Sequence, residues 1–392
     1  MKRITYFKSL FLMAFMLFGS SSTYAYEFEV DGIYYNTEFS NAIVTRGEND
    51  YSGDIIIPAT VSHNGMTYTV TSIGEKAFMW CTELTRVDIP NTVTLIDSYA
   101  FCYCRQLTSM VISQNVTTIN SWAFNGCSGL SSITVESGNP RYDSRDNCNA
   151  IIESATNTLI AGCKNTIIPN SVTKIGFQAF SGCSDLTSIS IPNSVTSIET
   201  EAFFACLNLA SVDIPNSVTY IGGSAFNFCE ALESVIIPNS VTTIDHNAFY
   251  GCSRLTKVSI GNSITTIGAS AFCYCNRLSK VIIYATTIPN TLESAFNKSN
   301  YNNSTLYVAV GCKEAYAMVE PWSGFGKIVE MIPGDVDEDG KLNISDITSL
   351  IDLLLNGDEA SVNADVDEDG KMNISDVTSL IDLLLNGGIS HF

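Results

Sequence analysis

The sequence predicts a mainly β fold, a solenoid of short repeats followed by a small α-helical module. Two observations support this prediction. A pattern of 23 residues built around an Ala-Phe pair recurs from Ala77 to beyond Phe296, and repetition at such a period is typical of solenoids. At the C-terminus, residues 365 to 387 repeat residues 335 to 357 with two changes.

Residues 1 to 25 have the pattern of a cleavable signal peptide. Basic residues surround the start of an apolar run from 10 to 18, which is too short to span a membrane, and small or polar residues follow as far as Ala25. Residues 26 to 71 alternate apolar and polar residues around Asp31-Gly32, which predicts a hairpin. We expect this segment to form an N-terminal β cap, since the first core face of a solenoid is otherwise open to water.

Each repeat has the composition of one turn of a coil. In one copy, Leu186 and Ile189 belong to a short strand whose alternate side chains face inward, and the turn Pro192-Asn193-Ser194 then reverses the chain. Stacked copies bury together a face that one copy cannot bury alone, because neighbouring strands lie about 4.8 Å apart. The Ala-Phe pairs begin at Ala77, Ala100, Ala123, Ala179, Ala202, Ala225, Ala248 and Ala271, with a weaker copy at Ala295.

Most of the thirteen cysteines follow the same period. In-register thiols lie parallel rather than pointing at one another, and no paired C-x-x-C zinc spacing is present. Because free cysteine packs as a small apolar residue, we predict buried structural thiols at the repeated position. These are Cys81, Cys104, Cys127, Cys183, Cys206, Cys229, Cys252 and Cys275. The redox state of the others stays open: Cys102, Cys148, Cys163, Cys273 and Cys312.

The repeat resembles the BspA-type leucine-rich repeats of bacterial surface and secreted proteins, notably those of Bacteroidetes. The shared pattern is Cys-x-x-Leu-x-x-Ile-x-Ile-Pro-Asn-Ser-Val-Thr-x-Ile-Gly-x-x-Ala-Phe, and it covers residues 72 to 330. The resemblance implies a right-handed leucine-rich-repeat solenoid used for binding, with adhesion to host or neighbouring cells as the commonest assigned role. It implies no active site.

One long gap interrupts the repeats at residues 136 to 168. Within it, Ala150-Ile151-Ile152 and Thr158-Leu159-Ile160 predict a hairpin that replaces a regular turn of the coil. Two interpretations remain open, a binding loop and a tolerated surface excursion. Residues from about 284 to 330 are expected to form the C-terminal cap, and residues 331 to 334 a linker.

The C-terminal duplication, residues 335 to 387, predicts a metal site in each half. Each copy begins Asp-Val-Asp-Glu-Asp-Gly-Lys-x-Asn-Ile-Ser-Asp, which places oxygen donors at loop positions 1, 3, 5, 9 and 12. Calcium requires such donors, so we expect two ions, each held by a loop-helix unit. The first ligand set is Asp335, Asp337, Asp339, the Lys341 carbonyl, Asn343 and Asp346. The second is Asp365, Asp367, Asp369, the Lys371 carbonyl, Asn373 and Asp376.

Helical spacing follows each loop. A helix is predicted from Asp346 to Asn356, stopped by Gly357, and a twin is predicted from Asp376. The side chains expected to be buried in the first helix are Ile347, Leu350, Ile351 and Leu354.

Loop position 12 is Asp rather than Glu, and no helix precedes either loop. This combination resembles the type I dockerin, a duplicated calcium module that binds cohesin domains on scaffold proteins. The resemblance implies that the residues choosing the cohesin are Ile344, Ser345, Ile351 and Asp352, and in the second copy Ile374, Ser375, Ile381 and Asp382. Many dockerins have a basic residue in place of Asp352 and Asp382, so this chain departs from the pattern that clostridial-type cohesins recognise. Because both halves carry the same residues, either half can face the partner.

Charge and composition exclude several functions. The chain has a formal net charge of −20, of which −12 lies from Asp335 to the end, so nucleic acid and anionic membranes are poor partners. Catalysis is not expected. A hydrolase needs two carboxylates across a cleft, and no segment outside the repeats is long enough to build one. The three histidines belong to no Ser/His/Asp arrangement.

The candidate ligand surface is a set of aromatic residues between the Phe and Cys of successive repeats. A row of exposed aromatic rings can stack on sugars or anchor a protein, but rings at this position can also simply close the corner of the coil. The six residues are Trp80, Tyr103, Phe204, Phe228, Tyr250 and Tyr274. A second column of residues points outward on the strands and includes Ile236 and Ile282. Many serine and threonine residues flank it, which gives a surface suited to protein contacts.

Together these patterns predict a secreted or surface-associated, non-catalytic binding or adhesion protein. Its solenoid is expected to engage a host or bacterial surface protein or glycan, and its calcium-dependent tail to tether it to a cohesin domain of a scaffold or surface protein. The alternative is a non-catalytic accessory component, or a structural spacer, of a cellulosome-like polysaccharide-degrading complex.

Overall fold

The computed structural model describes residues 26–337, 341–356, 363–366 and 372–385. The predicted signal peptide lies outside the described residues. The described chain is mainly β, as predicted, with short parallel strands stacked into a solenoid and two longer helices near the C-terminus. It divides into two compact units, Met1–Ile167 with Phe180–Cys183 and Ile168–Ala179 with Ser184–Phe392.

The first unit begins with antiparallel strands and continues as a parallel coil. Its strands are β1 (Phe28–Val30), β2 (Ile33–Glu38), β3 (Asn41–Thr45), β4 (Gly53–Ile56), β5 (Thr60–His63), β6 (Met66–Ile73), β7 (Leu84–Asp88), β8 (Leu95–Ile96), β9 (Ser109–Ile112), β10 (Thr118–Ile119), β11 (Ser132–Val135), β12 (Tyr142–Asp143), β13 (Ala150–Glu153) and β14 (Thr158–Gly162). A 3-10 helix spans Arg145–Asn147. The predicted hairpin at Asp31-Gly32 joins β1 to β2, and both turn residues have positive φ, as a two-residue hairpin turn requires.

The coil of this unit is held by parallel pairs. Strand β10 pairs with β8, and β11 pairs with β9, each joining residues 23 positions apart in the sequence. The predicted hairpin in the long gap is confirmed, since β13 and β14 pair antiparallel and β12 joins the same sheet. Arg145 donates to both carboxylate oxygens of Asp143 at 2.7 and 2.6 Å, which ties the start of this excursion together.

The second unit contains two parallel ladders and the main helices. Its strands are β15 (Lys174–Ile175), β16 (Ser188–Ser190), β17 (Ser197–Ile198), β18 (Ser211–Asp213), β19 (Tyr220–Ile221), β20 (Ser234–Ile237), β21 (Thr243–Ile244), β22 (Lys257–Ile260), β23 (Thr266–Ile267), β24 (Lys280–Ile283), β25 (Asn290–Thr291), β26 (Thr305–Val308) and β27 (Lys327–Glu330). The α-helices are α1 (Lys313–Ala317), α2 (Ile344–Asn356) and α3 (Ile374–Leu385). In the described part of this unit, 3-10 helices also span Glu293–Phe296, Tyr301–Asn303 and Trp322–Gly324.

The two ladders form different faces of the coil. The two-residue strands pair in the order β15-β17-β19-β21-β23-β25, and the longer strands pair in the order β20-β22-β24-β26-β27, with β16 and β18 forming a separate pair. Both ladders are parallel, so each strand lies beside its counterpart from the next turn.

The Ala-Phe pair recurs because it builds the corner of each turn. The Phe203 amide donates to the Ala225 carbonyl at 2.7 Å, and the same bond joins Phe226 to Ala248. Fully buried phenylalanine rings stack face to face along the second unit, with centroids 5.1 Å apart between Phe203 and Phe226. Alanine leaves room for the backbone ladder, and the ring fills the core beneath it.

All thirteen cysteines are buried free thiols, which confirms the structural interpretation of the repeated position. Several thiols of the repeated position also donate to a carbonyl of the preceding turn. The distances are 3.0 Å from Cys104 to Phe78 and 3.3 Å from Cys252 to Phe226. Cysteine at this position is therefore both a small apolar filler and a weak donor.

The expectation for the outward strand column is wrong at Ile282. This residue is 3% exposed, whereas Ile236 in the same column is 68% exposed. Ile282 packs with Tyr307 and Met331, which come from irregular sequence after the last regular repeat. The end of the coil thus covers part of the face that the repeat pattern places outward.

Candidate functional site

The first predicted calcium loop brings three carboxylates together. Asp335, Asp337 and Asp346 each place an oxygen within 4.8 Å of the others, and Asp335 and Asp346 are fully buried. Buried carboxylates that converge repel one another unless a cation lies among them. An all-oxygen donor set of this kind fits calcium better than a softer metal.

Asp346 also closes the loop onto helix α2. Its Oδ1 accepts the Val336 amide at 2.8 Å and its Oδ2 accepts the Asn343 amide at 2.8 Å. It stands in the first turn of the helix, where a negative charge is favoured by the helix dipole. Each carboxylate oxygen can accept more than one bond, so these contacts leave capacity for a metal.

Asn343 and Ser345 support the same loop. The Asn343 side-chain oxygen accepts the Ser345 amide at 2.8 Å, and the Ser345 hydroxyl donates to Asp337 Oδ2 at 2.7 Å. Ser345, expected from the dockerin resemblance to contact the partner, is half-buried and engaged with loop residues. Lys341, whose carbonyl is a predicted ligand, lies in the loop with its side chain exposed.

The second loop repeats the described part of the first. Asp376 is fully buried, and its two oxygens accept the Val366 and Asn373 amides at 2.7 Å each. Asp365 is half-buried, and Ser375 again contacts the Asn373 side chain at 2.9 Å. The predicted ligands Asp339, Asp367, Asp369 and Lys371 lie outside the described residues.

The two loop-helix units share one core. Leu350 and Leu380, at corresponding positions of α2 and α3, are both fully buried and belong to one apolar cluster. The Asn363 side chain donates to the Asp335 carbonyl at 2.8 Å, and the Gly334 amide donates to the Asn363 carbonyl at 2.9 Å. Because the halves are joined in this way, loss of one loop is expected to loosen both.

Each of these helices leaves an apolar stripe exposed. On α2, Ile344, Ile351 and Leu355 are 77%, 38% and 77% exposed. On α3, Ile374, Ile381 and Leu385 are 73%, 37% and 78% exposed. We call these six residues the paired stripes. The predicted burial of Ile351 is therefore wrong, because the opposite side of α2 faces the shared core.

Sequence reasoning did not single out Leu355 and Leu385, which complete the exposed apolar stripes. Their spacing from Ile344 and Ile374 is eleven positions, which returns to the same side of a helix after three turns, so helical periodicity could have identified them. The predicted residues Asp352 and Asp382 are exposed beside the stripes.

The six candidate aromatic residues on the coil are half-buried rather than fully exposed. In the first unit, Trp80 and Tyr103 stack with centroids 4.1 Å apart, and the Arg105 guanidinium lies about 6 Å from each ring. In the second unit, Phe204, Phe228, Tyr250 and Tyr274 meet edge to face at 6.1, 5.5 and 5.1 Å in sequence. Lys298 ends this second row by donating to the Tyr274 hydroxyl at 2.7 Å.

These six residues do not occupy a single repeat position. Trp80, Tyr103, Phe228 and Tyr274 are the third residue after the alanine and have φ between 59° and 65°. Phe204 and Tyr250 stand one position earlier. Burial raises the pKa of Tyr250 to about 12, so its hydroxyl is neutral at physiological pH. The rows can present ring edges and hydroxyl groups to a ligand while covering the corner of the coil.

Family comparisons match both parts of the chain. A model described as "BspA type Leucine rich repeat region (6 copies)" matches residues 60–156, 149–279 and 242–311. A model described as "Dockerin type I domain" matches residues 333–385. None of the curated proteins is similar enough to count as a match. Among the described residues, no helix combines the length and hydropathy needed to cross a membrane.

Solved bacterial structures resemble the coil. The pneumococcal vaccine antigen PcpA is 15% identical, with a TM-score of 0.52, over 76% of this chain and 96% of that one. A leucine-rich cell surface protein from Faecalibacterium prausnitzii is 25% identical, with a TM-score of 0.40, over 65% of this chain and 94% of that one. A leucine-rich-repeat protein from Bacteroides ovatus is 22% identical, with a TM-score of 0.40, over 81% and 93%. The likeness to PcpA concerns the fold alone.

Proposed function

Since the chain belongs to the BspA-type leucine-rich-repeat family and carries a type I dockerin domain, we propose that it is an extracellular binding protein held on a cohesin-bearing scaffold. Both modules are non-catalytic binding modules. The repeats engage a protein or glycan on a host or bacterial surface, and the dockerin supplies the anchor. The proposed organisation is a signal peptide (1–25), a β cap (26–71), the solenoid (72–330), a linker (331–334) and the dockerin (335–387).

Calcium binding is proposed to control whether the dockerin can anchor the chain. Type I dockerins bind calcium, and we assign one ion to each loop. Asp335, Asp337, Asn343 and Asp346 would hold the first, and Asp365, Asn373 and Asp376 belong to the second set. The ion would neutralise carboxylates that otherwise repel one another, so binding is coupled to folding of the loops.

The paired stripes are the observation that carries the cohesin proposal. Large apolar side chains exposed at 73% to 78% add nothing to the module's own core, and such residues commonly anchor a partner. Their duplication at an offset of 30 residues gives two equivalent faces. Asp352 and Asp382 add negative charge where many dockerins are basic. The fitting cohesin therefore presents an apolar surface with a basic rim.

Cohesin affinity of variants altered in one or both halves tests this proposal. Ile344→Asp with Leu355→Asp should leave affinity for a cohesin of the same organism nearly unchanged, because the stripe of α3 can replace that of α2. The same change in both halves should abolish binding, since an unpaired charge would be buried in either orientation. Met318→Asp is the matched control, because Met318 is 85% exposed but lies outside the dockerin. Full binding by the four-residue variant would refute the proposed face.

The aromatic rows are the proposed ligand contacts of the coil. The stacked rings beside Arg105 and the edge-to-face rings that end at Lys298 both offer half-buried aromatic surface beside a cation. Replacing Tyr250 and Tyr274 with serine should weaken capture of surface material from cells that the producing organism contacts. Replacing Tyr284, an exposed ring outside the rows, should not.

The runner-up function is an accessory component of a polysaccharide-degrading complex. The presence of a dockerin favours this accessory function, since a dockerin attaches a chain to cohesin domains. The location of the cohesin distinguishes the two. A cohesin on an enzyme scaffold supports the accessory role, and a cohesin on a cell-surface protein supports adhesion.

A further inference from the structure

The connection between the coil and the dockerin is shorter than the linker predicted at residues 331 to 334. Met331, its first residue, is 9% exposed and packs with Ile282 and Tyr307. The Met331 amide donates to the Val308 carbonyl at 2.8 Å, which extends the contact of β27 with β26 by one residue. Met331 therefore belongs to the end of the coil.

The other end of the predicted linker belongs to the dockerin. The Gly334 amide donates to the Asn363 carbonyl at 2.9 Å, and the Asn363 side chain donates to the Asp335 carbonyl at 2.8 Å. A Cβ on Gly334 would lie 2.6 Å from Leu380 Cδ1, so the glycine backbone packs directly on the core that the two loop-helix units share. Two linker residues remain between the point fixed to the coil and the point fixed to the dockerin.

These two residues, Ile332 and Pro333, form a tight turn. The Ile332 carbonyl accepts the Asp335 amide at 2.9 Å, and Gly334 has a φ of 86°. Proline at the second position and a glycine with positive φ at the third are the features of a type II β-turn. Proline fixes its own φ, and the left-handed conformation of Gly334 is restricted by its contact with the dockerin core. We call residues 332 to 335 the connecting turn. It lacks the Gly/Ser-rich composition of a flexible linker.

The connecting turn ends on the first predicted calcium ligand. Asp335 is fully buried, and its carboxylate places an oxygen within 4.8 Å of those of Asp337 and Asp346. The backbone amide of Asp335 closes the turn, while its carboxylate belongs to the loop. Because calcium binding orders a loop of converging carboxylates, we expect the turn and the loop to become ordered together.

We propose that the connecting turn joins the end of the coil and the calcium-loaded dockerin into one rigid body, so that a bound cohesin fixes the direction in which the coil projects. Each of the paired stripes then gives its own direction, because exchanging the stripes turns the dockerin relative to the cohesin. Without calcium the loop loosens, and the joint gains freedom. The proposal rests on the proposed cohesin tether and states how that tether presents the coil.

Distances between two spin labels on the full chain test the rigid joint. The labels are placed at Ile236→Cys on the coil and Asp352→Cys on α2, since both residues are exposed. The chain without these two substitutions controls for labelling of the buried thiols. The doubly labelled chain should give one narrow distance distribution in calcium and a broad one in chelator.

An insertion in the connecting turn provides the matched comparison. Four residues, Gly-Ser-Gly-Ser, inserted between Ile332 and Pro333 should broaden the distribution even in calcium. The same insertion between Asn64 and Gly65, at an exposed hairpin tip, should leave it narrow. Unchanged calcium affinity and cohesin affinity in both insertion variants would show that the dockerin still folds.

A label on the bound cohesin tests the two directions. With the coil labelled at Ile236→Cys, the variant Ile344→Asp/Leu355→Asp should give one coil–cohesin distance, and Ile374→Asp/Leu385→Asp should give a different one. Adding the insertion in the connecting turn should replace both distances with broad distributions.

Several outcomes would overturn the proposal. A broad distribution in the calcium-loaded chain, or a narrow one after insertion in the connecting turn, would refute the rigid joint. Equal widths in calcium and in chelator would refute its dependence on calcium, and equal cohesin distances in the two stripe variants would refute the two directions. Absence of cohesin binding together with a narrow distance within the chain would refute the proposed tether and leave the joint standing.

Discussion

At the scale of single residues, two backbone positions in the left-handed region shape the corners of the coil, the residue before the alanine and the third residue after it. The second of these positions is an aromatic residue in some turns and glycine in others, with alanine at 205 and lysine at 298. A positive φ costs a residue with a Cβ about 1–2 kcal/mol. The ring packing of Phe228 offsets that cost, and glycine in the next turn makes room for the ring. A Cβ on Gly251 would lie 2.6 Å from Phe228 Cδ1.

Alanine at Gly251 should therefore cost more than alanine at Gly311. The two φ angles are alike, at 72° and 75°, but a Cβ at Gly311 would meet nothing within 4 Å. We expect Gly251→Ala to lower the free energy of unfolding by an additional amount of about 1–3 kcal/mol, the usual cost of overpacking. Denaturant titration measures the difference. The excess should vanish when Phe228→Ala is combined with Gly251→Ala, and equal costs for the two single variants would contradict the packing argument.

The buried thiols should make stability fall at high pH. Burial raises the pKa of Cys81 and of Cys102 from 9.0 to about 11. Because the folded pKa is the higher one, the protonated thiol contributes stability that is fully present below pH 9.0 and is lost between pH 9.0 and about 11. The free energy of unfolding should decline across that window. Below it, a thiol reagent should react slowly with native protein, and rapid reaction before denaturant is added would contradict the burial.

At the scale of elements, the dockerin helices depend on their loops. Asp346 accepts backbone N–H groups from both ends of the first loop and is fully buried. Asp346→Ala should leave those donors unsatisfied, at about 1–3 kcal/mol, and also remove a proposed calcium ligand. Asp352→Ala is the matched control, since Asp352 is exposed on the same helix.

Calorimetric titration of the full chain with calcium measures this effect, and circular dichroism follows the helices. The Asp346→Ala variant should bind calcium more weakly and lose helix, while Asp352→Ala should behave like wild type. Unchanged calcium affinity in Asp346→Ala would exclude Asp346 as a ligand.

Sequence periodicity predicts the ladders because each residue must lie above its own copy, so Lys257 and Lys280 could be paired from their spacing of 23. The pairing of Thr305 with Lys327 could not, since these strands follow the regular repeats at irregular spacings. The burial of Ile282 was unpredictable for the same reason, because Met331 and Tyr307 lie beyond the regular repeats. Aspartate spacing predicts the calcium loops, whereas the exposure of Ile351 depends on which side of α2 packs into the shared core.

At the scale of the whole molecule, negative charge is concentrated in the C-terminal tail. Residues from Asp335 onward carry −12 of the net charge of −20, as the proposed calcium loops require. A chelator should therefore remove helical signal from the dockerin while the β signal of the repeats persists. Loss of both signals together would show that calcium also holds the repeats.

A two-step capture experiment tests the central claim, a calcium-dependent tether on a binding solenoid, most directly. The full chain is captured on an immobilised cohesin of the same organism, and surface material from neighbouring or host cells is then passed over it. Capture in calcium followed by binding of the second layer is the predicted result, and chelator should release both. A variant with Asp346→Ala and Asp376→Ala should escape the cohesin but still bind the surface material in solution. Equal retention with chelator and with calcium, or no capture by any such cohesin, would contradict the account.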